Sequence, residues 1–403
     1  MQVSLSLVQE ATVNISAGIH RTPLTHSQTF SKLSGNEVYL KTENLQKTGS
    51  FKIRGALNKI NSLTAIERKK GVIAISAGNH AQGVAFAAAK AGITSIIVMP
   101  ENAPIAKVTA TKSYGAQVEL YGNVVDECAI KAKELQEKSG AIFVHPFNDP
   151  LVIAGQGTIG LEILSDLPGV EAIVVPVGGG GLISGIATAV KEIAPKVQVI
   201  GVEASKAASM QASLAKGEIT SIHSAKTIAD GIAVKTPGTI TFDLVNKYVD
   251  GIVTVDEEEI ANAILMLLER AKLIVEGAGA ASLAAIINNK LNIRDKKVVA
   301  LLSGGNIDVN IISQIIERGL VKAGRKVKLK TRIEDRPGHL HALLGLVADL
   351  GANVFNIYHD REKIGVELGY AEVDLDLETR DKEHSEEIYQ RLNRMGYNTS
   401  YVL

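Results

Sequence analysis

From residue 70 onward, short β-branched runs alternate with longer alanine-rich segments, and that alternation constrains the fold more than any other feature of the chain. Strand-like runs at 72–76, 95–99, 117–121 and 142–144 are separated by helix-like segments at 81–91, 105–114 and 124–138, the first two closed by Gly92 and Gly115. A glycine just past a helix supplies the left-handed residue that ends it. Strands joined this way run parallel, because each helix carries the chain back across the sheet. A second series follows Pro150, with runs at 172–177, 197–202, 252–255 and 298–302. The expected fold is α/β: two doubly wound lobes with parallel sheets, the smaller lobe (about 45–150) inserted into the larger, in a domain over 1–318. Ligands meet such lobes in the cleft at the carboxyl ends of the strands.

The texture changes after Arg318. Residues 319–327 carry two glycines and three basic residues and read as a linker. Strand-like runs at 327–333, 353–359, 365–376 and 399–402, with helix-like segments at 340–350 and 385–395, then give a βαββαβ order. That is the ferredoxin-like arrangement, expected as an independent domain over 328–403.

Lysine plus arginine balance aspartate plus glutamate at 43 each, so nothing in the net charge calls for nucleic acid or a membrane surface. A single cysteine, Cys128, excludes an intrachain disulfide and a multi-thiolate metal site, and fits a reducing compartment. Residues 1–18 lack a basic start and hold Glu10 inside their apolar stretch, unlike a signal peptide. No window approaches eighteen uncharged apolar residues, and the expectation is a soluble cytoplasmic protein.

Two motifs then point to chemistry. Lys52 sits in Ser50-Phe51-Lys52-Ile53-Arg54-Gly55-Ala56, where an apolar setting would desolvate its amine and favour the neutral, nucleophilic form. Gly178 to Gly181 follow a strand-like run, and a glycine loop entering a helix aims backbone N–H groups at an anion. An amine that attacks an aldehyde and a cradle that holds a phosphate together describe pyridoxal 5'-phosphate. The competing reading is a dinucleotide site, with Glu203 at the end of the next strand taking a ribose. Its G-x-G-x-x-G spacing fails, since the third glycine position falls on Ile183 or Ser184.

Ser76-Ala77-Gly78-Asn79-His80 lies between a strand and an alanine-rich helix, where free N–H groups suit a carboxylate and Asn79 can donate to a phenolate oxygen. Ser303, at the end of a buried-looking strand, offers a neutral hydroxyl that would leave a pyridine nitrogen largely unprotonated. Both residues have a plainer reading as helix caps, which the residues alone leave open. No G-x-S-x-G or H-E-x-x-H occurs.

Pro23, the run Lys41 to Gln46, Ser-Phe-Lys52-Ile-Arg-Gly-Ala, Ser-Ala-Gly-Asn79-His, the four glycines and Ser303-Gly-Gly-Asn306 resemble, in order and over about 15–320, the threonine dehydratases of pyridoxal-phosphate fold type II. Asp335-Arg336-Pro337-Gly338-His339-Leu340 resembles the start of an ACT domain, an amino-acid-sensing module. The resemblance implies a tryptophan synthase beta-like catalytic domain, a carbon–nitrogen lyase acting on L-threonine and L-serine, a small-molecule effector at the tail, and a homo-oligomer, dimer or tetramer. It implies that Lys52 carries the cofactor and moves the Cα proton. Gly178, Gly179, Gly180, Gly181 and Leu182 would hold the phosphate, Asn79 the phenolate oxygen and Ser303 the ring nitrogen, with Phe51 against the ring. Ser76, Ala77, Gly78, Asn79 and His80 would take the substrate carboxylate.

Two positions depart from relatives. Related serine racemases commonly carry serine where this chain has Ala77, and a methyl group cannot deliver a proton to the face opposite the lysine. Some relatives bind a divalent cation through a glutamate matching Glu203 and an acid six residues on. Here that acid is Ser209, which weakens a metal site at Glu203.

Overall fold

The structure, a computed structural model, describes residues 2–402 and divides into two compact units after Ile307. In the first unit the chain lays down β1 (Leu24–His26) and β2 (Glu37–Lys41), then leaves to build β3 (Val72–Ile75), β4 (Ser95–Met99), β5 (Gln117–Leu120) and β6 (Ile142–Phe143). It returns for β7 (Ala172–Pro176), β8 (Gln198–Ala204), β9 (Gly251–Val255) and β10 (Lys297–Leu301). The result is a six-stranded sheet of order β1-β2-β10-β7-β8-β9 and an inserted four-stranded sheet of order β5-β4-β3-β6. Every pairing is parallel except β1 with β2.

β7 reads Ala-Ile-Val-Val-Pro with every residue buried, as a parallel strand covered on both faces must be. Helices Gly181–Ile193 and Gly277–Ile287 pack on it, and helix Pro150–Asp166 lies against Gly181–Ile193, where glycines let the two backbones close in. A Cβ on Gly185 would stand 2.2 Å from Ile153 O. β1 and β2 have no counterpart in the sequence reading. β2 is Glu-Val-Tyr-Leu-Lys, and its charged ends conceal a strand whose Lys41 is fully buried.

The second unit contains helix Val309–Lys322 and four strands: β11 (Lys326–Glu334), β12 (Asn353–Asp360), β13 (Tyr370–Glu378) and β14 (Ser400–Tyr401). Their antiparallel order β12-β13-β11-β14, with helices His339–Asp349 and Lys382–Arg394 as the two crossovers, is the ferredoxin-like βαββαβ arrangement. β11 alternates buried and open residues, with Val327, Leu329, Thr331 and Ile333 inward and lysines and Arg332 outward. Leu343, Val347, Leu375, Ile388 and Leu392 complete its core.

Two expectations about this region need correction. The expected linker 319–327 is mostly regular structure, because helix Val309–Lys322 runs straight through Arg318 and Gly319. The helix stops instead at Gly324 (φ 68°), with Gly324 N–H donating to Val321 O and Arg325 N–H to Leu320 O, a Schellman cap. Second, the strand expected at 365–376 begins at Tyr370, since Gly365 and Gly369 both sit at positive φ (90° and 91°) in the preceding loop.

Candidate active site

A cavity of about 790 Å³ lies in the first unit where β3, β7 and β10 end, and Phe51, Lys52, Ser76 to His80, Gly178 to Leu182 and Ser303 line it, whereas Glu203 does not. The segment before Lys52 is clipped to the exit of β10: Phe51 N–H donates to Ser303 O at 3.1 Å, and Ser50 bridges Gly304. Lys52 therefore opens helix Lys52–Asn61 at the cavity wall, with Nζ donating to Pro146 O at 2.9 Å. Burial pulls its amine down to about 8, with the charge of Glu276 opposing. Near pH 7 about one molecule in ten then carries the neutral amine, against roughly one in three thousand for an ordinary lysine.

The four glycines form a strand-to-helix turn that admits nothing larger. Cβ atoms on Gly179 and Gly181 would lie 2.4 and 2.8 Å from Phe147, and one on Gly178 would lie 2.9 Å from Ile232 Cα. Gly180 holds φ 91° as the N-cap of helix Gly181–Ile193, whose first N–H groups have no carbonyl of their own helix to bind. Thr241 Oγ1 donates to Gly179 O at 2.6 Å and ties the turn down. An anion of phosphate size fits this cradle of main-chain donors.

Asn79 and Ser303 are not the helix caps that their positions allowed. Asn79 Nδ2 donates to Glu276 Oε1 at 2.7 Å, and its Oδ1 accepts from Asn306 Nδ2 at 2.8 Å. The helix after Ser303 is capped by Asp308, whose Oδ1 accepts from Asn310 N–H at 2.8 Å, leaving the buried Ser303 on the cavity wall. His80 Nε2–H donates to Val144 O at 2.8 Å, which leaves Nδ1 an acceptor without a partner. Burial, with the charge of Lys52, lowers His80 to about 3 and His145 to about 4. Both imidazoles are neutral beside Lys52.

Glu203 stands apart from the cavity. Its carboxylate accepts from Met210 N–H (2.9 Å) and Gln211 N–H (2.8 Å) at the start of helix Ser209–Lys216, while Ser209 Oγ donates to Val234 O. Burial raises it to about 7. Among the described residues no group of three His, Cys, Asp or Glu could hold a metal ion.

Sequence reasoning missed Glu276, Phe147 and the ion pair between Lys107 Nζ and Asp230 Oδ2 (2.5 Å) on the cavity wall. Glu276 is the N-cap residue of helix Gly277–Ile287. Burial, reinforced by Asp230, pushes it up to about 7 against the hydrogen bond from Asn79 and the charge of Lys107. The available signal was an acid directly before the small-residue run Gly277-Ala278-Gly279-Ala280.

The run 41–46 and Arg54 lie elsewhere. Arg54 Nε and Nη2 hold both oxygens of Glu43 (2.8 and 2.7 Å), its Nη1 holds Glu162 (2.6 Å), and Lys41 Nζ meets Glu162 (2.7 Å) and Thr22 O. This is a core ion network.

Comparison with known proteins supplies the family. Residues 15–304 match the family described as pyridoxal-phosphate dependent enzyme. The chain is 56% identical to the L-threonine ammonia-lyase of Thermotoga maritima, over 99% of this chain and 100% of that protein. It is 48% identical to a catabolic L-threonine dehydratase of Escherichia coli, over 78% of this chain and 96% of that one. Among solved structures, maize serine racemase superposes with a TM-score of 0.76 at 36% identity, covering 80% of this chain and 99% of the racemase. The chain therefore belongs to the pyridoxal-phosphate dependent enzymes of fold type II, in the family of the L-threonine ammonia-lyases.

Proposed function

We propose that the chain is an L-threonine ammonia-lyase that converts L-threonine to 2-oxobutanoate and ammonia and also takes L-serine to pyruvate. The observation that carries this reading is the partly neutral Lys52 amine in the same cavity as the glycine cradle, in a chain so similar to an L-threonine ammonia-lyase along its whole length. Pyridoxal phosphate, when bound, accepts the electron pair left at Cα as a proton departs. The Gly178 to Gly181 turn and Leu182 would hold its phosphate, with Ser303 toward the ring nitrogen, Asn79 toward the phenolate oxygen and Phe51 against the ring. The Ser76 to His80 loop would take the substrate carboxylate at the start of helix Asn79–Ala91, although Ser76 N–H already donates to Val98 O and Gly78 N–H to Ser76 Oγ. Lys52 would carry the cofactor until the substrate amine takes its place; its freed amine would then remove the Cα proton, and with a proton returned to it the β-hydroxyl would leave as water. The freed enamine hydrolyses to the 2-oxo acid and ammonia.

A serine racemase is the second reading, favoured by the likeness to the maize enzyme. Ala77 argues against it: inversion at Cα needs a donor on the face Lys52 does not reach, and Ala77 has none. Incubation with L-threonine should release 2-oxobutanoate and ammonia in equal amounts. L-Serine should give pyruvate with little D-serine on chiral chromatography, and Ala77→Ser should raise the D-serine share. Abundant D-serine from the wild type, or no 2-oxo acid from either substrate, would sink the lyase reading.

The second unit is read as an ACT domain that binds an amino-acid or nucleotide effector near Asp335 to His339, where Gly338 (φ 93°) opens helix His339–Asp349. Its βαββαβ order supports this reading, and the E. coli relative, 96% of which is matched by 317 residues, supports the second unit being separable from the first. The enzyme is read as a cytoplasmic homo-oligomer. No helix among the described residues is long and apolar enough to cross a membrane.

A further inference from the structure

Glu276 is almost wholly buried (4% exposed) and lies on the cavity wall at the N-terminus of helix Gly277–Ile287. It stands at one end of a three-residue chain, in which Glu276 Oε1 accepts from Asn79 Nδ2 (2.7 Å) and Asn79 Oδ1 accepts from Asn306 Nδ2 (2.8 Å). Asn306 Nδ2 also donates to Thr48 O at 2.7 Å, which fixes that amide in turn. A carboxamide can be turned end for end with little change of shape. While Glu276 is ionised the turn is blocked, because one end then faces an acceptor-only carboxylate and the other a donor. Asn79 Nδ2 is left with one unspent hydrogen.

The surroundings are built around this chain. A Cβ on Gly304 would lie 2.4 Å from Glu276 Oε1, and one on Gly49 would lie 2.4 Å from Asn306 Oδ1. Gly304 and Asn306 of the Ser303-Gly-Gly-Asn306 motif therefore serve Glu276 and Asn79 as well as the strand end.

We propose that Glu276 is a positioning residue for the cofactor ring: by accepting one hydrogen of Asn79 Nδ2 it fixes the amide so that the second hydrogen is offered to the phenolate oxygen. The inference rests on the place given to Asn79 under the proposed function. The groups facing Glu276 are Asp230 from the turn Asp230–Ile232, Lys107 from helix Ile105–Ser113, Lys52 and the two asparagines. Asp230 disfavours its charge while Lys107 and Lys52 favour it. With the carboxyl titrating near 7, the grip on Asn79 weakens as the acid gains its proton below that pH.

The test is pyridoxal phosphate binding and the visible absorbance of the reconstituted holoenzyme from pH 5.5 to 9 (roughly the span over which such an acid titrates), in wild type, Glu276→Ala, Glu276→Gln and Asn79→Ala. Glu276→Ala should raise the dissociation constant about tenfold or more, the scale of one hydrogen bond to a charged group. Glu276→Gln, whose amide oxygen still accepts, should return affinity to within about threefold while abolishing the step near pH 7 in the absorbance. Asn79→Ala should weaken binding as much as Glu276→Ala, and the double variant should add nothing further. A folded Glu276→Ala protein with wild-type affinity would overturn the inference; if Asn79→Ala alone weakens binding, the reading of Asn79 stands without it, and if neither does, both fall. Should Glu276→Ala not fold, a step near pH 7 that survives in Glu276→Gln would overturn it by itself.

Discussion

The first unit buries two sets of charged side chains and treats them in opposite ways. Around Arg54, two cations (Arg54, Lys41) meet two acids (Glu43, Glu162) through paired contacts of 2.6 to 2.8 Å. Burial favours the uncharged forms there, but Glu43 holds the proton on Arg54 more tightly, and Arg54 with Lys41 keeps Glu162 below its ordinary value. At the cavity, Lys52 meets a carbonyl and Glu276 meets an amide, and among the described residues no salt bridge reaches either. Left short of counter-charge, they drift toward neutrality, Lys52 down to about 8 and Glu276 up to about 7. Complete pairing makes a core; incomplete pairing makes groups that exchange protons near neutral pH.

Breaking the unpaired set should destroy chemistry and spare the fold. Lys52→Ala is expected to lower kcat/KM for L-threonine by at least about 10⁴-fold, since nucleophile and base are lost together. Its melting temperature should stay close to wild type. Activity within tenfold of wild type would contradict the assignment.

Breaking the paired set should do the reverse. Arg54→Leu leaves Glu43 buried without its partner and should cost about 3–5 kcal/mol in urea unfolding, the penalty of an uncompensated interior charge. Loss of activity should follow loss of folded protein. A fully stable Arg54→Leu variant would mean that Glu43 is not held as described.

These opposite fates explain what was legible in the sequence. Lys52, the glycine run, Asn79 and Ser303 could be read because each combines a reactive or permissive residue with a strand end, and local sequence carries both. Arg54 and the run 41–46 were equally marked, but their role depends on Glu162, 108 positions away from Arg54, so sequence could not tell a core network from a site. Glu276 was invisible for the same reason, as its meaning comes from Asn79, 197 positions earlier. The parallel strands were legible because burial on both faces demands continuous apolar runs, whereas β2, ending in a buried lysine, disguised itself. The tail's topology was legible from alternation, but its boundary was not, since Gly324 reads equally as linker or helix cap.

Two smaller effects sharpen the contrast. Glu276 has a folded value near 7 against an ordinary 4.5, so its contribution to stability is full below about 4.5 and is lost as pH rises through about 7. The stability of Glu276→Gln relative to wild type should therefore improve across that window, measured by urea unfolding at stepped pH; a constant difference would contradict the shift. Truncation after Ile307 leaves both charged sets intact and should change kcat by no more than about threefold, while a response to amino-acid or nucleotide effectors, typically about 1–3 kcal/mol of coupling, should vanish. A truncated enzyme that still responds would place the effector site in the first unit.

The contrast between the two sets is tested most directly by infrared titration of the protonated-carboxyl stretch. The wild type near pH 6 should show a band that disappears with a midpoint near 7, diminished in Glu276→Gln by one carboxyl and unchanged in Glu162→Gln. A Glu276→Gln spectrum identical to wild type near pH 6 would show Glu276 already ionised, and the two clusters would then not differ in the way their geometry requires.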